Sequence, residues 1–218
     1  AEKMGRHVSG FPGPTLRKII YENNLFQKFK ARGKKVTFAN AYTENYFSRL
    51  DKGEVKKSVT TNLVLSAEIK FRYIQDLLAG KAVYQDFTNK LLANRNYKVP
   101  VIEPETAASN LANIVRQNDL TLYEYFQTDR IGHKQNLKKA QDIILKIDKF
   151  IGQLLTDLNL EKTLLIITSD HGNIEDLSLK THTQNPVPTI LVGKHKEKIK
   201  SKISSLLDIT PAICELIE

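Results

Sequence analysis

The fold is decided by the stretch LLIITSDHGN, which occupies residues 164–173. Its first four residues form an apolar run that predicts a buried β-strand, and this run leads directly into Asp170 and His171. A carboxylate and an imidazole at the carboxyl end of a buried strand stand where open α/β sheets place their ligands. The stretch therefore predicts an α/β protein with a functional site just after this strand.

Three further residues of the same chemical kind lie elsewhere in the chain. His182 follows this stretch, while Asp129 and His133 stand four residues apart after an apolar run at 120–126. Carboxylates and imidazoles are ligands that bind Zn²⁺ or Mn²⁺ at neutral pH. Either motif alone has a plain explanation, since Asp-His-Gly fits a polar turn and the Asp129/His133 spacing fits an ion pair at a helix start. Together, and in this order, they predict a metal site.

Three motifs carry a resemblance to a known family. They are Asp129-Arg130-Ile131-Gly132-His133, Ser169-Asp170-His171-Gly172-Asn173 and His182-Thr183-Gln184-Asn185-Pro186-Val187-Pro188. Together they resemble the metalloenzyme domain of the alkaline phosphatase superfamily, above all its members of the cofactor-independent phosphoglycerate mutase type and their smaller relatives. The resemblance runs from Gly5 to the carboxyl end, but its specific motifs lie only within residues 129–188.

The resemblance implies a pair of divalent metal ions, Mn²⁺ or Zn²⁺, a few ångströms apart. It implies that Asp129, His133 and His182 hold one ion. It also implies that Asp170 and His171 help to hold the other, which the family completes with an aspartate on its first strand and a Ser or Thr nucleophile at a helix start.

The first residues of the sequence do not match the family's first strand. The segment AEKMGRH has no strand pattern, and GFPGP at residues 10–14 predicts a turn. The nucleophile is therefore not identified and is expected upstream of Ala1, which favours a fragment over a natural variant that lacks the segment. The second metal site is expected to be incomplete. The resemblance would place Arg6 near the nucleophile segment, where its guanidinium could bind phosphate oxygens; an exposed arginine without a role is the alternative.

Composition sets further bounds. With 218 residues, of which 41% are hydrophobic and 26% charged, the chain can bury one sizeable core with a small appended subdomain. One cysteine excludes an internal disulfide framework, and no apolar run approaches the roughly 20 residues of a membrane span. We therefore expect a cytoplasmic protein without membrane contact, and the sequence leaves its oligomeric state open.

A net charge of +9 invites a nucleic-acid interpretation. The lysines are scattered, however, and the densest group, at residues 194–202, has no interleaved aromatic side chains. This pattern favours a solvated basic surface over a nucleic-acid site. A modest positive field could still attract a phosphorylated substrate.

Periodicity predicts an α/β core with a mostly parallel sheet flanked by helices. The predicted helices are 15–32, as one helix or two, 104–117 and 136–158, with a last one from Thr210-Pro211, and the predicted strands are 36–42, 120–126, 163–169 and 187–192. Residues 44–103 predict helices only, at 62–79, capped by Thr60 or Thr61, and at 85–94.

These helices are interpreted as a small cap over the site, with an ordinary helical layer on one sheet face as the alternative. The expected domains are a metalloenzyme core of residues 1–43 and 104–218, incomplete at its amino end, and a small helical cap of residues 44–103.

The function that the sequence favours is divalent-metal-dependent phosphoryl transfer on a small phosphorylated metabolite, by a hydrolase of the phosphatase type or by a phosphomutase. The alternative is a metal-binding domain without catalysis, which serves a structural or sensing role and is supported by the unidentified nucleophile. A basic interaction module, supported by charge alone, comes third.

We expect the 218-residue chain by itself to be catalytically silent, because a hydroxyl nucleophile must be held at the metal to react. Ser9 and Thr15 flank the turn at residues 10–14 and lie on the wrong side of the family's nucleophile segment. A chain extended upstream should release phosphate from an aryl phosphate in a metal-dependent manner, and His182→Ala or Asp170→Ala should abolish this. Hydrolysis by the 218-residue chain that is lost in the same variants would show that the nucleophile lies within this sequence.

Overall fold

The computed structural model describes residues 10–217, so Arg6 lies outside the described part of the chain. The helices are α1 (Pro14–Glu22), α2 (Leu25–Lys30), α3 (Glu44–Asp51), α4 (Val59–Ser66), α5 (Ile74–Leu78), α6 (Lys90–Ala93), α7 (Pro104–Val115), α8 (Gln127–Gly132), α9 (Leu137–Asp157), α10 (Lys196–Lys200) and α11 (Leu206–Cys214). The strands are β1 (Val36–Phe38), β2 (Leu120–Leu122), β3 (Leu164–Thr168) and β4 (Thr189–Gly193). Among these residues, no helix combines the length and apolar character that a membrane span requires.

The α/β class is confirmed, with helices around a small parallel sheet. β1 and β2 pair in parallel, with Val36 opposite Leu120. β4 instead pairs antiparallel with β3, with Leu165 opposite Val192. Parallel pairing requires a crossover connection, usually a helix, and residues 169–188 between these strands contain none. The chain therefore turns back on itself after β3, and parallel pairing is less extensive than the sequence predicts.

The main core lies between α7, α9 and the sheet. From α7 it takes mainly small and branched side chains, which let α9 approach closely: Ala107, Ala108, Leu111, Ala112 and Ile114. Phe150 of α9 stacks on Phe87 at 4.7 Å between ring centroids, and Phe87 stacks on Tyr125 at the same distance. Leu165 of β3 packs against this cluster. The core thus holds β3 and the residues after β2 against one helical layer.

The predicted helix at 62–79 is wrong, because the chain breaks after α4. Glu68 adopts a positive φ of 52°, which an α-helix does not accommodate. The following residues become extended, and Arg72 forms a parallel bridge to Ala41 beside β1. The predicted caps were also wrong, since the Ser58 hydroxyl accepts the Thr61 N–H at 3.1 Å and begins α4.

The predicted helix at 85–94 shrinks to α6. Phe87 and Asn89 adopt positive φ angles of 41° and 62°, so no helix can run through them. The buried Asp86 carboxylate holds this turn by accepting the N–H groups of Asn89 at 3.0 Å and Leu91 at 2.8 Å. Local side-chain hydrogen bonds of this kind compete with helix formation.

The last helix begins at Leu206 and not at Thr210-Pro211. Ser205 and Asp208 form a capping box, in which Asp208 accepts the Ser205 N–H at 2.8 Å. Such a box satisfies the unpaired donors of a first turn. Pro211 therefore lies inside α11, where its missing N–H removes one hydrogen bond.

Residues 44–103 pack directly onto the end of β1. Besides the bridge at Arg72, Val83 forms a parallel bridge to Asn40. A second apolar cluster combines Ala41 with Leu77 and Leu92 from this segment. The segment is thus anchored beside the carboxyl end of β1, and its role as a cap stays a prediction.

Replacing Phe150 by Ala should lower the free energy of unfolding by about 3–5 kcal/mol, because it leaves a cavity in the ring stack. The matched control is Leu145→Ala in the same helix, whose side chain is 64% exposed and whose loss should cost no more than about 0.5 kcal/mol. Urea denaturation measures both. Equal effects of the two substitutions would contradict the placement of the core.

Candidate metal centre

Asp129 and His133 are positioned by α8, which begins shortly after β2. Asp129 lies in the first turn and His133 is the residue at the carboxyl end. Side chains four positions apart share one helix face, and the His133 Nε2 atom accordingly lies 3.2 Å from the Asp129 Oδ1 atom. The four-residue spacing of Asp129 and His133 thus places their side chains in contact.

His182 reaches the same carboxylate oxygen from the loop between β3 and β4. Its Nε2 atom also lies 3.2 Å from Asp129 Oδ1. Asp129, His133 and His182 each offer a ligand atom, and these atoms lie within 4.8 Å of one another. This arrangement suits a divalent cation held by one carboxylate and two imidazoles.

Asp170 and His171 border this triad. The His171 Nε2 atom lies 3.9 Å from Asp129 Oδ1 and 3.6 Å from Asp170 Oδ1. Its ring stacks on the ring of His182 with the centroids 3.5 Å apart. Asp170 itself is 86% exposed. The structure therefore brings all five residues into one cluster, with Asp129 at its centre and Asp170 at its rim.

A backbone carbonyl orients the His133 ring. Its Nδ1 atom lies 2.5 Å from the carbonyl oxygen of Lys180. A carbonyl can only accept, so Nδ1 donates to it, and Nε2 is the ring nitrogen that is turned towards Asp129. Metal-binding histidines commonly donate their second ring N–H to a carbonyl in this way.

Asn173 holds the Asp129 carboxylate from the other side. Its Nδ2 atom donates to Asp129 Oδ1 at 3.1 Å, and its side chain is packed against Gly132. A Cβ at Gly132 would lie 1.6 Å from Asn173 Oδ1, so any other residue there would displace the Asn173 amide. Asn173 Oδ1 is buried and has no hydrogen-bond partner within residues 10–217. Asn173 therefore holds the Asp129 carboxylate in place.

Sequence reasoning missed Glu124, a carboxylate close to this cluster. It follows β2, and its backbone is clamped by the Asn40 side chain, which accepts its N–H at 2.9 Å and donates to its carbonyl at 2.7 Å. Burial raises the pKa of Glu124, the Thr60 hydroxyl that donates to it at 2.5 Å lowers it, and the negative charge of Asp170 raises it further. A charged residue inside the apolar run 120–126 was the signal that could have revealed it.

Residues 54–218 match the model of the Metalloenzyme superfamily. This match covers more than half of the chain, and the chain therefore belongs to that superfamily. The family resemblance predicted from the three motifs is confirmed.

Among its relatives are phosphoglycerate mutases of the 2,3-bisphosphoglycerate-independent type. The chain is 30% identical to that of Ehrlichia canis in an alignment of 129 positions that covers 53% of this chain and 26% of the relative. It is 26% identical to that of Antithamnion sp. in an alignment of 196 positions that covers 83% of this chain and 38% of the relative. The chain thus spans between about a quarter and two fifths of the length of these curated relatives.

A solved structure shows the same fold. The PH0037 protein from Pyrococcus horikoshii matches with a TM-score of 0.52 over 79% of this chain and 42% of its own, at 16% sequence identity. At this identity the likeness concerns the fold alone.

We expect the purified chain to bind about one Mn²⁺ or Zn²⁺ ion tightly, because Asp129, His133 and His182 supply three ligands whereas Asp170 and His171 supply two, fewer than the usual three or four. His182→Ala should weaken this binding at least tenfold. His195→Ala is the matched control, since this exposed histidine precedes α10 and should leave binding unchanged. Calorimetric titration of the metal-free protein measures both, and two equally tight ions would contradict the assignment.

Proposed function

We propose that this chain supplies the metal-binding part of a divalent-metal-dependent phosphoryl-transfer enzyme that acts on a small phosphorylated metabolite. The observation that carries the proposal is the convergence of two imidazole Nε2 atoms on one carboxylate oxygen, each at 3.2 Å. The names of the curated relatives, which are phosphoglycerate mutases, support the phosphoryl-transfer class.

The net charge of the proposed metal ligands is compatible with the binding of a phosphate group. Asp129 contributes one negative charge, while His133 and His182 bind metals as neutral imidazoles. A bound divalent cation would supply positive charge that polarises a phosphoryl oxygen. Since the protein ligands carry a single negative charge between them, the loaded centre stays positive and can accept a phosphate anion.

Asp170 and His171 are proposed to face a second ion beside the first. The stacked rings of His171 and His182 fix the separation of the two groups of ligands. The exposed Asp170 carboxylate leaves one side of this position open, which is where further ligands and the substrate would enter. Either Mn²⁺ or Zn²⁺ is compatible with carboxylate and imidazole ligands.

Two other assignments belong to the same proposal. Arg6 is the proposed contact for the phosphate group of the substrate, because a guanidinium matches phosphate oxygens bidentately. Residues 44–103 are the proposed cap. Their packing beside Asn40 at the end of β1 supports this proposal. A phosphatase and a phosphomutase would both use a centre of this kind.

Binding of inorganic phosphate should depend on the metal. We expect the Mn²⁺-loaded chain to bind phosphate and the metal-free chain to bind it at least tenfold more weakly, because the cation supplies the positive charge of the centre. Calorimetric titration with phosphate, with and without Mn²⁺, measures this difference. His182→Ala should remove the Mn²⁺-dependent part, and His195→Ala should keep it.

Two results would contradict the proposal. Equal phosphate affinity with and without metal would assign the phosphate to the basic surface. Tight Mn²⁺ binding without any phosphate binding would favour a metal site that has a structural or sensing role.

A further inference from the structure

The loop between β3 and β4 carries most of the proposed ligands without helical support. Residues 169–188 contain Asp170, His171 and His182, and within them no helix or strand is formed. The rings of His171 and His182 nevertheless stack at 3.5 Å with an angle of 13° between their planes. Some other interaction must hold together the two limbs of this loop, of which the first carries His171 and the second carries His182.

Glu175 provides this interaction, because its carboxylate binds both limbs. On one limb its Oε2 atom accepts the Asn173 N–H at 2.6 Å. On the other limb its Oε1 atom accepts the Thr183 hydroxyl and the Asn185 side-chain amide, the latter at 3.1 Å. These hydrogen bonds, that of Thr183 above all, hold the pKa of Glu175 below its ordinary value.

The limbs meet immediately beside the two histidines. The Thr183 N–H donates to the Gly172 carbonyl at 3.0 Å in an antiparallel bridge. A Cβ at Gly172 would lie 2.1 Å from the Thr183 hydroxyl oxygen and 2.4 Å from Glu175 Oε1. Gly172 and Thr183 adjoin His171 and His182 in sequence, so the closure at Glu175 sets the spacing of the two imidazoles.

Glu175 acts on the centre indirectly. Both of its carboxylate oxygens are engaged as acceptors by groups of the loop, and among residues 10–217 it does not belong to the group of converging ligand atoms. The Asn173 whose backbone it holds donates to Asp129. One carboxylate therefore connects the support of Asp129 with the placement of His182.

We propose that Glu175 is a positioning residue that closes the loop between β3 and β4 and thereby sets the affinity of the centre for divalent cations. This inference rests on the proposed function, in which these side chains bind a metal. Groups that orient metal ligands typically change metal affinity by about 10- to 100-fold when they are lost.

Glu175→Gln tests the proposal with little change in shape. The amide keeps one acceptor oxygen but replaces the other by a donor, so either the Asn173 N–H or the pair of donors from Thr183 and Asn185 loses its acceptor oxygen. The matched control is Glu54→Gln, which alters an exposed pair with Arg49. Calorimetric titration of each metal-free variant with Mn²⁺ gives the affinity, and thermal unfolding of the same samples reports on the fold.

We expect Glu175→Gln to weaken Mn²⁺ binding by about 10- to 100-fold. The midpoint of its thermal unfolding should equal that of Glu54→Gln. Mn²⁺ affinity equal to that of the unchanged chain would overturn the proposal. Absence of Mn²⁺ binding in the unchanged chain would overturn the metal centre itself, and this separates the two failures.

Thr183 provides a second test that does not alter Glu175. Thr183→Ser keeps the hydroxyl that donates to Glu175 and should keep the Mn²⁺ affinity, whereas Thr183→Val keeps the shape, loses the donor and should weaken binding. If Glu175→Gln fails to fold, this pair decides the question. Equal affinities for the Ser and Val variants would overturn the proposal.

Discussion

The Asp129 carboxylate is the point on which the rest of the site depends. Its Oδ1 atom lies 3.2 Å from the Nε2 atoms of both His133 and His182, and it accepts the Asn173 amide at 3.1 Å. These groups come from α8 and from the loop between β3 and β4, which are far apart in sequence. A single oxygen atom thus connects the first turn of a helix with an irregular loop. The cluster forms only if α8 and this loop are held in the correct relative position.

The hydrophobic core explains how α8 and the loop after β3 are held in this relative position. α9 follows α8 directly and packs along α7, and the ring stack of Phe87 and Phe150 fixes its position. β3 reaches the same core through Leu165. α8 and the loop after β3 are therefore tethered to one helical layer, and the loop needs its own closure, which Glu175 supplies, to bring His182 back to Asp129.

The elements with strong periodicity could be predicted from the sequence. The long amphipathic pattern at 136–158 became α9, and the apolar run after residue 163 became β3, because burial of one apolar stripe or run dominates in both. The helices predicted within residues 44–103 were wrong where local hydrogen bonds determine the backbone conformation. The Asp86 carboxylate holds a turn with positive φ angles, and the break at Glu68 frees Arg72 to pair beside β1. Such choices depend on partners distant in sequence and leave little periodic signal.

The proposed ligands were accessible to sequence reasoning, because their spacing and residue types are constrained by metal chemistry. The residues that support them left a weaker signal. Asn173 is of a residue type common in turns, and Glu175 and Glu124 carry charges that usually mark solvated positions. Their roles follow from three contacts: Asn173 with Asp129, Glu175 with Thr183 and Glu124 with Thr60. The first two contacts form because the chain returns after β3, and the third forms because α4 packs nearby.

The most direct test of the central claim is a crystal structure of the chain with Zn²⁺, with anomalous scattering used to locate the ion. The account predicts a peak bound by the Asp129 carboxylate and by the Nε2 atoms of His133 and His182, at about 2.0–2.2 Å from each ligand atom. An ion bound elsewhere in the chain, while these three side chains keep their direct contacts with one another, would contradict it.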